Sequence, residues 1–308
     1  IPRQVVALGD VAVLAHASRV LGFAVPLRAI SSAREASDDA LCVLDQGALK
    51  AADLRIGQVD AQAGQAAYAY VVAGTRAALS GELAALVTLP INKEATQLTH
   101  PGFCGHTELV AELCGVEDVT MMLVSDRLIV THVSTHVSMA EALRRVKKER
   151  IEKVIELTWQ ALSRLKASPR LAVAGLNPHA GEHGLFGKEE ELEIEPAVAA
   201  ARARGIPVDG PHPPDTLFHL AVQQGRYDAV ICMYHDQGHI PMKLLDFDVG
   251  VNVTLGLPII RTSVDHGTGY DIAYQGKASI ESFVRAVDFA VRLVRLESRS
   301  LFSPNSRF

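Results

Sequence analysis

"YDAVICMYHDQGHIPMK", residues 227–243, joins two kinds of sequence. Its first half is a short apolar run, the pattern of a strand buried on both faces. Its second half is polar, with His235 and His239 four apart and Asp236 between them. That spacing builds a metal site when both imidazoles share one face of a helix. Gly238 and Pro241 argue against a helix here. The stretch therefore reads as a buried strand ending in a polar cluster, whose imidazoles need partners from elsewhere in the chain.

The same grammar recurs along the sequence. "AALVTLP" (84–90), "VTMMLVSD" (119–126), "LIVTHVS" (128–134), "RLAVAGLN" (170–177) and "VGVNVTLGL" (249–257) also read as strands. Residues 63–82, 148–166, 193–205 and 279–296 carry helical periodicity, and "ESRSLFSPNSRF" reads as a frayed polar tail. Such alternation predicts an α/β fold with a largely parallel core. Polar clusters follow the strands: "LPINKE", "HVSTH", "NPHAGE" and "HDQGH". Ligands of open α/β sheets bind outside the carboxyl ends of strands, so these clusters point to one shared cleft.

Composition narrows the class. The chain has 308 residues, 48% hydrophobic and 21% charged. At roughly 150 residues per domain, two domains are expected. No repeat or linker is visible, so the chain should cross between them more than once. Net charge is -5 with no basic patch, which argues against nucleic acid. No apolar run reaches a membrane span, and the opening "IPRQVVALGD" is not a signal peptide. Cys42, Cys104, Cys114 and Cys232 lack pairing or zinc-finger spacing, which suits reduced thiols in a cytoplasmic protein.

Several residues carry candidate chemistry. His136, His179 and His235 each follow a strand directly, and three imidazoles would leave a catalytic metal an open position. His132 shares a strand face with His136, so it stays a candidate. In "GFCGHTELVAEL" (102–113), Thr107 and Glu108 mark a helix start, a natural phosphate site. Lys243, Asn252 and Arg261 suit a phosphate or carboxylate. Lys93 and Asp215 are further strand-end or loop candidates. The glycines of "TSVDHGTGYDIAYQGKAS" permit close backbone approach to a ligand, although the stretch is not a dinucleotide fingerprint.

"GHTE", "THVSTH", "GLNPHAGE", "GPHPPDT", "MYHDQG" and "GVNVTLGLPIIRTSVDHGT" resemble, in this order, the PdxA family, across nearly the whole chain. These are 4-hydroxythreonine-4-phosphate dehydrogenases and relatives that act on D-threonate or D-erythronate 4-phosphate. The resemblance implies two α/β/α domains flanking a cleft, similar to isocitrate and isopropylmalate dehydrogenases. It also implies a discontinuous domain, 1–104 with 253–308, and a substrate, metal and dimerisation domain, 105–252. It places metal ligands on His136, His179 and His235, one of them supplied by the partner subunit of a homodimer. Phosphate contacts fall on Thr107, Lys243, Asn252 and Arg261, with His106 beside them, and Asp215 matches a substrate-contacting position. The NAD loop is expected over Asp265, His266, Gly267, Thr268 and Asp271, although Gly269 and Tyr274-Gln275 depart from the family's commoner residues. Family members open with a strand and a "GDPAGIGPE"-like turn, whereas "IPRQVVALGDVAVL" looks like the second strand.

The activity so implied is NAD- and metal-dependent oxidation and decarboxylation of a 4-phosphorylated 3-hydroxy acid. Zinc is the expected ion, with cobalt, nickel, manganese or magnesium as alternatives. Lys93 and Asp215 are the acid–base candidates. "LPINKEATQL", "THVSTHVSM" and "HDQGHIPMKLLDF" look more like the relatives that convert D-threonate or D-erythronate 4-phosphate to dihydroxyacetone phosphate. The alternative substrate is 4-hydroxy-L-threonine 4-phosphate, in pyridoxal phosphate synthesis. A reading of another class is a non-catalytic protein that binds metal and a phosphorylated ligand.

Overall fold

The computed structural model describes residues 5–247 and 249–301. The chain divides into two compact units: Ile1–Glu117 with Leu257–Val294, and Asp118–Gly256 with Arg295–Phe308. The domain boundaries read from the sequence, at 104/105 and 252/253, fall earlier than these switch points.

The first unit begins with β1 (Ala7–Gly9), α1 (Val11–Leu21), β2 (Leu27–Ile30) and β3 (Leu41–Asp45). These strands form a parallel sheet in the order β1-β3-β2. Then come α2 (Ala61–Leu79), β4 (Leu86–Thr88), α3 (Lys93–Gln97) and α4 (His106–Cys114). Gly64 of α2 is required for close packing: a Cβ there would lie 2.2 Å from the carbonyl oxygen of Ala95. Helices α2 and α3 thus meet backbone to backbone, which fixes the short helix that starts at Lys93. Asn92 caps that helix by accepting from the Ala95 N–H at 2.8 Å.

The second unit contains β5 (Thr120–Val124), β6 (Ile129–His132), α5 (Met139–Arg145), α6 (Lys148–Leu165) and β7 (Leu171–Ala174). It continues with α7 (Glu195–Ala203), β8 (Val208–His212), α8 (Pro214–Val222), β9 (Ala229–Cys232), α9 (His235–Asp246) and β10 (Val251–Leu255). Its strands run in the order β10-β5-β6-β9-β7-β8. The pairings β6–β9, β9–β7 and β7–β8 are all parallel, with His132 opposite Cys232 and Val173 opposite Ile231. Four carboxyl ends therefore lie on one edge, in the order β6, β9, β7, β8.

Side-chain alternation along these strands builds two cores. Leu171, Val173 and Ile231 face Ile151, Ile155, Ile194 and Val198 around α6 and α7. Ala172, Val230 and Cys232 face Leu217 of α8 and Met242 of α9. Helices cover both faces, as continuous apolar strands require.

The chain closes with β11 (Arg261–Val264) and α10 (Glu281–Leu301). Strand β11 pairs parallel with β4, Arg261 opposite Leu86 and Ser263 opposite Thr88. The tail read as frayed from Glu297 is helical to Leu301; residues 302–308 lie outside the described residues. Among the described residues, no helix is long and apolar enough to cross a membrane.

One expectation fails. Residues 235–246 form a helix despite Gly238 and Pro241. A Cβ on Gly238 would lie 2.5 Å from Nε2 of His132 and 3.0 Å from Sγ of Cys232. Glycine is thus what allows α9 to seat on β6 and β9. Burial of Gln237, His239 and Met242 holds the helix, offsetting the roughly 3 kcal/mol that an interior proline costs.

Candidate active site

The carboxyl edge of the second unit carries an imidazole cluster. His235 opens α9 directly after β9, and His136 follows β6; their ring centroids are 5.5 Å apart. His239 stacks on His235 at 3.5 Å with the rings 10° from parallel, as the i,i+4 helical spacing allows. His132 lies 4.7 Å from His239. Hydrogen bonds fix three of these rings. The Nδ1–H of His235 donates to Asp236 at 2.6 Å, leaving Nε2 free to act as a ligand. The Nδ1–H of His239 donates to the His235 carbonyl at 2.9 Å. The Nδ1–H of His132 points to the Met121 carbonyl, and its Nε2 is buried without a hydrogen-bond partner. Burial, then the neighbouring imidazoles, lowers His132 to about 3. Burial and His235 lower His239 to about 4. Both rings are therefore neutral at pH 7.

His179 follows β7, the strand beside β9. Its loop is unusual: His179, Ala180, Glu182 and His183 all have φ between 44° and 53°. Left-handed non-glycine residues each cost on the order of 1–3 kcal/mol, so surrounding contacts must impose this shape. The ring of His179 faces Phe186, centroids 6.1 Å apart. Structure thus brings His136 and His235 side by side and sets His179 on the adjacent strand end, outside ring contact with them. Among the described residues, no three His, Cys, Asp or Glu side chains of this chain converge as a ready metal cage. The Asp236-oriented ring of His235 and the exposed rings of His136 and His179 still suit a zinc-like ion. Asp215 sits exposed in the first turn of α8, after β8.

The first unit carries a cationic corner. Arg261 is 3% exposed. It donates to Oγ1 of Thr88 at 2.7 Å and to Oγ1 of Thr107 at 3.3 Å. Burial lowers it to about 10, opposed by Glu108, so the guanidinium stays charged at neutral pH. His106 and Thr107 form the first turn of α4, where backbone N–H groups point outward. Burial, then Arg261 and Lys93, lowers His106 to about 3. Lys93 lies close by: a Cβ on Gly105 would meet its Cε at 3.5 Å and its Nζ at 3.7 Å. His106, Thr107, Arg261 and Lys93 therefore share one corner that can hold a phosphate.

Two further phosphate candidates lie in the second unit. Lys243 is exposed on α9, its Nζ 5.7 Å from the Phe247 ring centre. Asn252, on β10, has a buried amide oxygen without a hydrogen-bond partner. The expected NAD loop follows the carboxyl end of β11 in the first unit. The Asp265 N–H donates to Ser282 Oγ at 3.2 Å, tying the loop's start to α10. Beyond it, His266, Gly267, Thr268 and Asp271 are exposed. A Cβ on Gly267 would meet nothing within 4 Å, so the backbone stands open to a cofactor.

Some residues at the site were not readable as such. Glu190 belongs to an acidic run that looks like a solvated helix face, yet it is 1% exposed. Gln237 looks like a loop residue, yet it bridges the Met233 N–H and the Gly175 carbonyl. No sequence signal marks either one.

The second unit thus carries imidazoles at strand ends, and the first unit a cationic helix start suited to an anion, in an α/β protein. The sequence model of the family described as pyridoxal phosphate biosynthetic protein PdxA matches residues 1–290, and the chain belongs to the PdxA family. It is 48% identical over 272 residues to a D-threonate 4-phosphate dehydrogenase of Salmonella typhimurium, covering 87% of this chain and 83% of the relative. It is 47% identical over 293 residues to a 4-hydroxythreonine-4-phosphate dehydrogenase of Geobacter metallireducens, covering 94% and 86%. A crystal structure of 4-hydroxythreonine-4-phosphate dehydrogenase from Klebsiella pneumoniae superposes with a TM-score of 0.85 at 45% identity, covering 94% of this chain and 90% of that one.

Proposed function

We propose that the protein is an NAD- and metal-dependent dehydrogenase that oxidises and decarboxylates a 4-phosphorylated 3-hydroxy acid, D-threonate or D-erythronate 4-phosphate. The observation that carries this reading is the edge of parallel strands β6, β9 and β7, which presents His136, His235 and His179 in that order. The names of the relatives support a phosphorylated hydroxy acid as substrate.

When bound, a zinc-like ion supplies Lewis acidity at the reacting hydroxyl, and NAD supplies the hydride acceptor. The chain's own residues do the rest. His136, His179 and His235 offer ring nitrogens as ligands, and Asp236 fixes the His235 tautomer. Arg261, Thr107 and the start of α4 hold the phosphate, with His106 a neutral donor beside them. Within the second unit, Lys243 and Asn252 are groups able to contact a phosphate. Lys93 and Asp215 are the groups for proton transfer; Lys93 belongs to the phosphate corner. Asp265 to Asp271 form the nicotinamide-cofactor loop. A homodimer fits the row of Ile240 and Leu244 on α9 with Phe247 at its C-cap, 64%, 84% and 69% exposed, since an apolar stripe in water marks an interaction surface.

NAD reduction by the metal-loaded protein tests this reading. D-threonate 4-phosphate, D-erythronate 4-phosphate and 4-hydroxy-L-threonine 4-phosphate are compared by kcat/KM. A tenfold preference for either sugar acid, about 1.4 kcal/mol of discrimination, is expected. The opposite preference would move the protein to the alternative substrate. Ligand binding without reduction of NAD would favour the non-catalytic reading. His235→Ala should abolish turnover, and near-normal activity in that variant would remove the imidazoles from the mechanism.

A further inference from the structure

We propose that Glu190 is a positioning residue for His179, a role that rests on the metal-site reading above. Its carboxylate is buried in the second unit, and among the described residues its partners are the donors of Leu176 and Asn177. A carboxylate so placed must be satisfied by hydrogen bonds. Oε1 accepts from the N–H of Leu176 at 2.7 Å and of Asn177 at 2.8 Å, and Oε2 accepts from Nδ2 of Asn177 at 2.8 Å. All three donors lie just before His179, between the end of β7 and the left-handed run.

The loop is wrapped around this one side chain. A Cβ on Gly175 would lie 3.3 Å from Oε1, and one on Gly181 would lie 2.8 Å from Oε2. His179 is bracketed by two glycines: Gly181 stays bare for the carboxylate to fit, and Gly175 chiefly for Ala180, whose Cα would lie 2.9 Å from a Cβ there. Gln237 makes a second tie. It accepts from the Met233 N–H at 2.7 Å and donates to the Gly175 carbonyl at 2.8 Å. The first turn of α9, which carries His235, is therefore bonded to the strand end from which the His179 loop departs. Glu190 sets the shape of that loop, and Gln237 sets its place beside His235. Left-handed backbone at His179 itself needs such a template, because the isolated chain would not hold it.

The experiment uses the full chain and zinc, with affinity read by competition against a chromophoric chelator. Cobalt(II) absorption reports ligand geometry. Glu190→Gln keeps the shape but sets an amide N–H against the Asn177 amide; Glu190→Asp keeps the charge but is one methylene too short. Each should weaken zinc binding about 10- to 100-fold and alter the cobalt bands, with folding verified by circular dichroism. His179→Ala is the reference for loss of the ligand, and Ile151→Val, a core change, is the control for general destabilisation. Should Glu190→Gln not fold, Glu190→Asp carries the test. Wild-type affinity and bands in a Glu190 variant, with binding lost in His179→Ala, would overturn the positioning role alone. Wild-type affinity in His179→Ala would instead remove His179 from the ligand set, and the proposal with it. An equal loss in Ile151→Val would reduce the Glu190 effect to stability, which also overturns it.

Discussion

The two strand-end regions treat charge in opposite ways. In the first unit a guanidinium is buried, kept charged and aimed at the start of α4 beside Thr107. In the second unit four histidines gather, and burial holds His132 and His239 neutral. One arrangement suits an anion, because positive charge is in place at a helix start before any ligand arrives. The other offers electron pairs, where positive charge would repel a cation. A single fold can host both because they are built on different strands: the imidazoles follow β6 and β9, whereas the guanidinium opens β11 and reaches Thr88 at the end of β4.

The largest test of that contrast is Arg261→Gln. Loss of a buried charged donor should lower kcat/KM for a phosphorylated substrate about 10²- to 10³-fold, while zinc affinity stays at the wild-type value. A parallel fall in zinc affinity would show that the two chemistries are not separable. Gly238→Ala addresses the imidazole side. Its Cβ would collide with His132, 2.5 Å from Nε2, and overpacking of this kind costs about 1–3 kcal/mol. Urea unfolding should record that loss, and unchanged stability would mean that α9 shifts freely on its strands. Asp236→Asn is milder. It weakens the acceptor for His235 Nδ1–H, and about tenfold weaker zinc binding is expected in a chelator titration.

The smallest effect is a pH slope. Folded His106 takes its proton near pH 3, whereas an unfolded histidine takes it near 6.5. As pH falls below about 6.5 the unfolded chain binds the proton first, so this group withdraws stability progressively down to about pH 3. Stability curves of wild type and His106→Gln should converge toward acid pH relative to their separation at pH 7. A separation that does not change with pH would contradict the buried, neutral state of this ring.

Much of this was legible in the residues, and the exceptions share a cause. Buried parallel strands announce themselves by apolar runs, so β7 and β9 fell inside the segments read at 170–177 and 227–234. The polar residues after them were legible as a site because strand ends of such sheets bind ligands. Helix α9 was not, because Gly238 and Pro241 read locally as breakers while their meaning is tertiary. Glycine there makes room for His132, and no local propensity encodes that neighbour. Glu190 was hidden for the same reason: its role is defined by three N–H groups more than ten positions upstream.

Parallel strands can be joined only by long crossovers, and here His136, His179 and His235 are separated by 43 and 56 positions (179 − 136 and 235 − 179). Closing such loops is slow and entropically costly before the sheet exists. The denatured chain therefore does not hold these three imidazoles together, and on the metal-dependent reading proposed above an ion at this edge stabilises the native state by mass action. On that reading the strand ends must exist before these imidazoles can share an ion, so metal acts on the folded state rather than as a folding nucleus.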